Sequence, residues 1–158
     1  MTEQDDDFMQ QALAMAQQGV ELGHGGPFGA VVVVEGRIIG RGWNQVVHLN
    51  DPTAHAEMLA IRNACKGSGN FHLHQATLYT TCEPCPMCMS AAYWARIDKL
   101  VYGATAKDAA AIGFVDDWIL EELRKPQGSR RMRTSQRLRK ECRDLFARWQ
   151  QSEKRIDY

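Results

Sequence analysis

Long apolar runs are missing from this 158-residue chain. The longest of them, Ala30–Val34, has five residues, whereas a helix that crosses a bilayer needs about 20. The first eight residues, MTEQDDDF, are acidic and contain no apolar core of the kind that a secretory leader carries. We therefore expect a cytoplasmic protein with neither a membrane span nor a cleaved leader.

Cysteine is scarce and unevenly placed. Three of the five cysteines fall within one short stretch, at Cys82, Cys85 and Cys88. An odd number of clustered thiols is not typical of a disulfide framework. It favours metal binding or catalysis in a reducing compartment.

An excess of charge of one sign is also missing, since 19 Lys and Arg balance 19 Asp and Glu. The two parts of the chain differ, however. Residues 124–158 carry 12 basic and 4 acidic side chains, and residues 1–123 carry 7 and 15. This asymmetry favours docking of the basic tail on an acidic surface of its own chain or of a second subunit. Contact with the phosphates of a nucleic acid is the alternative.

Hydrophobic periodicity predicts helices alternating with strands after a first helix and a hairpin. The predicted helices are residues 8–20, 54–66, 86–96, 107–112, 118–125 and 138–149, and the predicted strands are 28–34, 37–43, 76–81 and 99–103. The first helix is expected to be capped by residues 5–7 and the second by Thr53. This order predicts an α/β fold, a three-layer α/β/α sandwich with a mixed sheet.

The stretch Cys85-Pro86-Met87-Cys88 predicts part of a metal site. Proline is favoured at the first position of a helix, which makes Cys85 the N-cap and puts Cys88 in the first turn. The positive end of the helix dipole lowers the pKa of both thiols and favours the thiolates that a metal binds. His55, near the start of another predicted helix, is the candidate third ligand. A catalytic zinc ion typically has three protein ligands and a water. The alternative for Cys85 and Cys88 is a redox pair or two thiols that are merely packed together.

Two neighbours of these ligands call for different interpretations. Glu57 lies four residues after Thr53, where it has no capping role, so beside a metal ligand it suits proton transfer. A surface glutamate near a helix start is the alternative. Cys82 ends the preceding predicted strand, outside the helix start, and we expect it to pack near the site without binding the metal.

Two motifs together carry a resemblance to a known family. His55-Ala56-Glu57 and Pro84-Cys85-Pro86-Met87-Cys88 match the H-x-E…P-C-x-x-C signature of zinc deaminases, in which the glutamate is a general acid/base and not a ligand. Other stretches resemble the guanine deaminases of the cytidine-deaminase-like superfamily. They are GGPFGAV at 25–31, NDPTAHAE at 50–57, YWAR at 93–96, IGFVDD at 112–117 and the terminal Tyr158. The resemblance spans nearly the whole chain and is weakest over residues 125–151.

The resemblance implies a fold and an assembly. It implies five mixed strands between helix layers, a homodimer, and one zinc ion per subunit. It also implies a single zinc deaminase domain over residues 1–158, in which the basic segment 126–158 is exchanged between subunits or caps the site.

The resemblance also implies a reaction, the hydrolysis of guanine to xanthine and ammonia by a zinc-activated water. Glu57 would be the proton shuttle, and Asn44 would hydrogen-bond the purine base. Asp116 would act near the departing amine, with Asp117 as the alternative acid, because Val115 departs from the family's usual Gly-Phe-Asp-Asp.

Three further residues receive roles from the resemblance: Phe28 and His55 would sandwich the purine ring, and Tyr158 would reach into the pocket as part of a lid. Three other functions stay open at this point. Two are enzymes of the same superfamily, a guanosine deaminase and a tRNA adenosine deaminase. The third is a zinc-stabilised binding module without catalysis, which would have a fourth protein ligand.

Overall fold

The computed structural model describes residues 3–158 as two compact units, of which the first ends at Trp118 and the second comprises Ile119–Tyr158. The helices are α1 (Glu3–Glu21), α2 (Val46–Leu49), α3 (Ala56–Ser68), α4 (Pro86–Trp94), α5 (Ala106–Ala111), α6 (Asp117–Arg124) and α7 (Arg139–Gln150). The strands are β1 (Gly29–Val34), β2 (Arg37–Trp43), β3 (Thr77–Cys82) and β4 (Lys99–Ala104). No helix within these described residues is both long enough and apolar enough to cross a bilayer.

The sheet of the first unit has the order β2-β1-β3-β4. Strand β1 is antiparallel to β2 and to β3, whereas β3 and β4 are parallel. The predicted mixed sheet is therefore confirmed. The expected fifth strand is absent from residues 3–158, where the sheet has four strands. The polar and basic residues 129–135 lack the alternating apolar pattern that a further strand needs.

Helices cover both faces of this sheet. On β1, Ala30 and Val32 pack with the buried residues of α3 and α4, while Val31 and Val33 pack with side chains of α1. Successive residues of a strand point to opposite faces, so this run of valines is buried on both sides. The predicted three-layer α/β/α arrangement is confirmed.

Glycines on β2 allow α3 to approach the sheet closely. A Cβ atom on Gly40 would lie 2.2 Å from the carbonyl oxygen of Ala60, and one on Gly42 would lie 2.3 Å from that of Ala56. Real Cβ atoms do not approach backbone so closely, so only glycine fits at either position. This contact fixes the position of the first turns of α3 against the sheet.

The start of α1 differs from the sequence prediction. The helix begins at Glu3, before the residues expected to cap it, and Asp5 is buried inside its first turn. The Asp5 carboxylate accepts a hydrogen bond of 2.6 Å from the Tyr79 hydroxyl and pairs with Lys99 Nζ at 3.1 Å. Burial, followed by this hydrogen bond, raises the pKa of Tyr79 to about 12. Asp5 therefore ties α1 to β3 and β4.

The second unit contains most of α6, a 3-10 turn at Gln127–Ser129, and α7. Glu122 pairs with both Lys125 and Arg131 within this unit. The apolar side chains of α7 are largely exposed, and they include Leu145, Phe146 and Trp149.

Candidate active site

The sheet topology brings four chain segments to one edge. Because β1 is antiparallel to both β2 and β3, the chain leaves β2 and β3 at the same edge of the sheet, and it enters β1 there. Strand β4, parallel to β3, also ends at this edge. The segments that lead to α3, α4 and α5 therefore start together, as binding sites of α/β sheets commonly require.

A cavity of about 690 Å³ lies at this edge, and every residue that lines it belongs to the first unit. Six of the residues predicted from the sequence to form a site line it, namely Phe28, Asn44, His55, Glu57, Cys85 and Asp116. Cys88 is fully buried in α4. Tyr158 lies in the second unit, where its side chain is 72% exposed.

Two helix starts position the candidate metal ligands. Cys85 is the N-cap of α4, with Pro86 at the first helical position, as predicted. The prediction for α3 was wrong, because His55 and not Thr53 is its N-cap. The backbone N–H and the hydroxyl of Thr53 both donate to the Asp51 carboxylate instead, at 2.8 and 2.7 Å. The Asp51–Thr53 turn therefore ends two residues before His55, the N-cap at which α3 starts.

Three donor atoms converge between these helix starts. His55 Nδ1 lies 3.7 Å from Cys85 Sγ and 3.5 Å from Cys88 Sγ, and all three atoms are within 4.8 Å of one another. Tetrahedral zinc with bonds of about 2.1 Å to nitrogen and about 2.3 Å to sulfur requires these atoms to be about 3.6 Å apart. The residues therefore fit a zinc ion. No fourth His, Cys or carboxylate of residues 3–158 joins the group at these distances.

Protons are unequally distributed over the two thiols of this group. Hydrogen bonding from Cys88, and secondarily from His55, lowers the pKa of Cys85 to about 4. The same hydrogen bond and burial raise the pKa of Cys88. The contact with Cys85 also raises the pKa of His55. Cys85 is thus held as a thiolate, and deprotonation of Cys88 completes the form that binds a metal.

Glu57 brings a carboxyl group into the same cavity. It stands in the first turn of α3, and only 6% of the residue is exposed. Burial is the main cause that raises the pKa of Glu57 above its ordinary value. A carboxyl group with a raised pKa holds a proton more readily than an exposed one, which suits it to proton transfer.

Asn44 is buried just after the end of β2, with 5% of the residue exposed. Its Oδ1 accepts hydrogen bonds from the backbone N–H groups of Gly26 and Val46, each at 3.2 Å. The oxygen is therefore occupied by the protein, and the amide nitrogen is the part of this side chain left to donate to another molecule.

An aromatic pair forms one side of the cavity. The rings of Phe28 and Phe114 meet edge to face, with centroids 4.8 Å apart and planes at 85°. Phe114 was not among the predicted site residues, although it lies inside the 112–117 stretch that carried the family resemblance. Its apolar side chain offered no chemical signal of its own.

The two candidate acids differ in position. Asp116 lines the cavity, and burial raises its pKa above the ordinary value. Asp117 begins α6 and accepts a hydrogen bond from the backbone N–H of Trp118.

Cys82 also lines the cavity, and its thiol donates to the carbonyl of Thr105 at 3.6 Å. Burial raises the pKa of Cys82 to about 11. This thiol is outside the group of three donor atoms.

Comparisons with known proteins agree with this site. Residues 2–104 match the family described as the cytidine and deoxycytidylate deaminase zinc-binding region. The chain is 52% identical over 123 residues to the guanine deaminase of Bacillus subtilis (strain 168), covering 78% of this chain and 79% of that protein. An X-ray structure of guanine deaminase from Bacillus subtilis matches with a TM-score of 0.93 and 44% identity, over 100% of this chain and 99% of that one. A tRNA-specific adenosine deaminase of Haemophilus influenzae is 45% identical over 74% of this chain and 70% of that protein.

Serine in place of one cysteine at a time tests the three-donor site. We expect Cys85→Ser and Cys88→Ser each to weaken zinc binding by more than about 100-fold, since even the loss of an outer-shell partner costs 10–100-fold. Cys82→Ser is the matched control and keeps about one zinc ion per chain. Elemental analysis after dialysis, with chelator competition, measures both. Loss of zinc from Cys82→Ser, with zinc retained in Cys88→Ser, would contradict this ligand set.

Proposed function

This chain belongs to the cytidine and deoxycytidylate deaminase family of zinc proteins, and on that premise we propose that it hydrolyses guanine to xanthine and ammonia. The observation that carries the substrate is the similarity to the Bacillus subtilis guanine deaminase structure over the full length of both chains. The tRNA-specific adenosine deaminase is less similar and shares a smaller part of this chain. Free guanine is therefore favoured over an adenosine in tRNA.

Zinc is held, in this proposal, by His55 Nδ1 and by the sulfurs of Cys85 and Cys88. A zinc ion held there would act as a Lewis acid and would lower the pKa of a water to about 7. Three protein ligands are typical of catalytic zinc, whereas structural zinc has four. The three-atom group thus supports an enzyme and argues against a zinc-stabilised module without catalysis.

Glu57 carries the proton in this reaction. Its buried carboxyl group has a raised pKa, so it accepts a proton from the nucleophilic water and returns it to the purine. The water oxygen first adds to carbon 2, and the electron pair of the C2–N3 double bond moves to N3, which takes up a proton. The bond from carbon 2 to the amine then breaks as the amine is protonated by the second proton of the water, and ammonia leaves. Proton transfer by a positioned carboxyl group typically contributes 10²–10⁴-fold in rate.

The remaining cavity residues hold the purine in place. The amide nitrogen of Asn44 donates to an acceptor on the base, such as O6 or N7 of guanine. Phe28 and Phe114 offer an apolar side wall, and the imidazole of His55 lies on the other side of the ring. Asp116 faces the departing amine in our proposal, supported by its position in the cavity.

Residues 126–158 are proposed to complete the pocket in a homodimer, either from the same chain or by exchange with a second copy. The exposed apolar side chains of α7 support this proposal, because an amphipathic helix is stabilised when its apolar face is covered. Tyr158 would then act as a lid over the purine.

Glu57→Gln tests the proposed chemistry. The amide keeps the size of the side chain but cannot take up the proton, so we expect kcat for ammonia release from guanine to fall by about 10²–10⁴-fold. Zinc content stays near one ion per chain. Glu35→Gln, the same change in the exposed hairpin turn, serves as the control and keeps wild-type rates. Full ammonia release by zinc-loaded Glu57→Gln protein would refute the assignment of this residue.

Removal of Ser152–Tyr158 tests the lid. We expect KM for guanine to rise at least about tenfold, as expected when a residue that contacts the substrate is lost, while zinc remains bound. The control is Ile156→Ala, which leaves Tyr158 in place and keeps a KM near that of the full chain. Steady-state kinetics and zinc analysis on all three proteins provide the comparison. Unchanged guanine kinetics after the truncation would exclude a lid in this segment.

A further inference from the structure

Two loop segments form one wall of the cavity. The first, residues 23–28, connects α1 to β1, and the second, residues 44–49, follows β2 and contains α2. Asn44 joins them through the hydrogen bond from Gly26 N–H to its Oδ1. The direction in which the Asn44 amide nitrogen points therefore depends on how these two segments are held together.

His24 makes further links between the same segments. Its Nδ1 lies 3.1 Å from Nε1 of Trp43, the residue directly before Asn44. Its backbone carbonyl accepts the N–H groups of both Val47 and His48, each at 3.1 Å. Its imidazole also stacks on the ring of His48, with centroids 4.0 Å apart and planes 12° apart.

Chemistry fixes the direction of the bond between His24 and Trp43. An indole nitrogen is a donor only, so Nδ1 of His24 must be the acceptor. In this bond the imidazole proton is on Nε2.

Trp43 is itself held against α1. A Cβ atom at Gly19 would lie 2.7 Å from Cδ1 of the Trp43 ring, so the indole fits this face of the helix only because residue 19 is glycine. The His24 bond thus connects the end of β2 to the segment that leaves α1. Neither end of the connection is a residue that sequence reasoning selected for function.

We infer that His24 is a positioning residue for substrate binding: through Trp43 and the His48 stack it sets the orientation of Asn44 and thereby the affinity for the purine base. The inference rests on the proposed guanine deaminase function. His24 does not line the cavity, and it acts through the backbone of the two loops. Its loss should therefore change substrate binding more than the chemical step.

Two substitutions distinguish the contribution of the Nδ1 acceptor from that of the stacked imidazole ring. His24→Leu removes both, whereas His24→Asn restores an acceptor where Nδ1 stands. We expect His24→Leu to raise KM for guanine about tenfold, the effect of one weakened hydrogen bond in binding, with kcat changed by less than about twofold. His24→Asn recovers most of the loss in KM. His74→Leu, the same change at an exposed histidine before β3, leaves both constants unchanged.

A spectroscopic measurement tests the link without using turnover. The chain has four tryptophans, and loss of one indole N–H signal in Trp43→Phe assigns the resonance of Trp43. In His24→Leu this signal is expected to shift and to exchange faster with solvent, while the other three keep their positions. If His24→Leu does not fold, Trp43→Phe takes over the kinetic test with the same expected rise in KM.

Several results would overturn the inference. They are an unchanged KM in His24→Leu, equal impairment of His24→Leu and His24→Asn, and an unmoved Trp43 indole signal. Wild-type protein that releases no ammonia from guanine would overturn the proposed function instead. In that case the indole N–H resonance of Trp43 in His24→Leu would still test the hydrogen bond between His24 and Trp43.

Discussion

The close contact of α3 with β2 is the constraint on which the site depends. Gly40 and Gly42 let the helix backbone lie directly on the sheet, and this contact fixes the first turn, where His55 and Glu57 stand. Cys85 and Cys88 reach the same place from α4, because β2 and β3 run in the same direction and end at the same edge. A side chain on either glycine would clash with the backbone of α3 and displace the helix that carries His55. The zinc fit depends on that position, because His55 Nδ1 lies 3.5 and 3.7 Å from the two sulfurs.

Burial gives these groups their acid–base properties. Desolvation raises the pKa of Glu57 and of Asp116, while Cys85 becomes a thiolate because its neighbours donate to it. One cavity thus contains a thiol with a lowered pKa beside carboxyl groups with raised pKa values. This contrast is what a hydrolytic deamination at neutral pH requires, since a metal ligand must be deprotonated and a proton carrier must not be permanently charged.

Short sequence patterns predicted those features that depend on neighbouring residues in the chain, such as helix starts and strands. Proline after Cys85 predicted a helix start, which the structure confirms, and the valine run at 28–34 predicted a strand, which is β1. Long-range packing decided what the sequence did not reveal. Thr53 was expected to cap α3, yet Asp51 accepts both of its donors. Asp5 was expected at a helix cap but is buried in the first turn of α1, where it accepts a hydrogen bond from Tyr79, 74 residues away. Phe114 stands in the 112–117 stretch without a chemical signal of its own and His24 stands in no motif, so only the fold shows their neighbours.

The central claim, deamination of free guanine, is tested most directly by ammonia release from a panel of substrates. The panel contains guanine, guanosine, adenine, cytosine and a tRNA anticodon stem-loop, each assayed with zinc-loaded protein under the same conditions. The account predicts that kcat/KM for guanine exceeds that of adenine, cytosine and the stem-loop by at least about 100-fold, because a site built to hydrogen-bond one base rejects bases that leave its groups unpaired. It also predicts a lower kcat/KM for guanosine than for guanine. Preference for adenosine in the stem-loop, or equal turnover of guanosine, would contradict it.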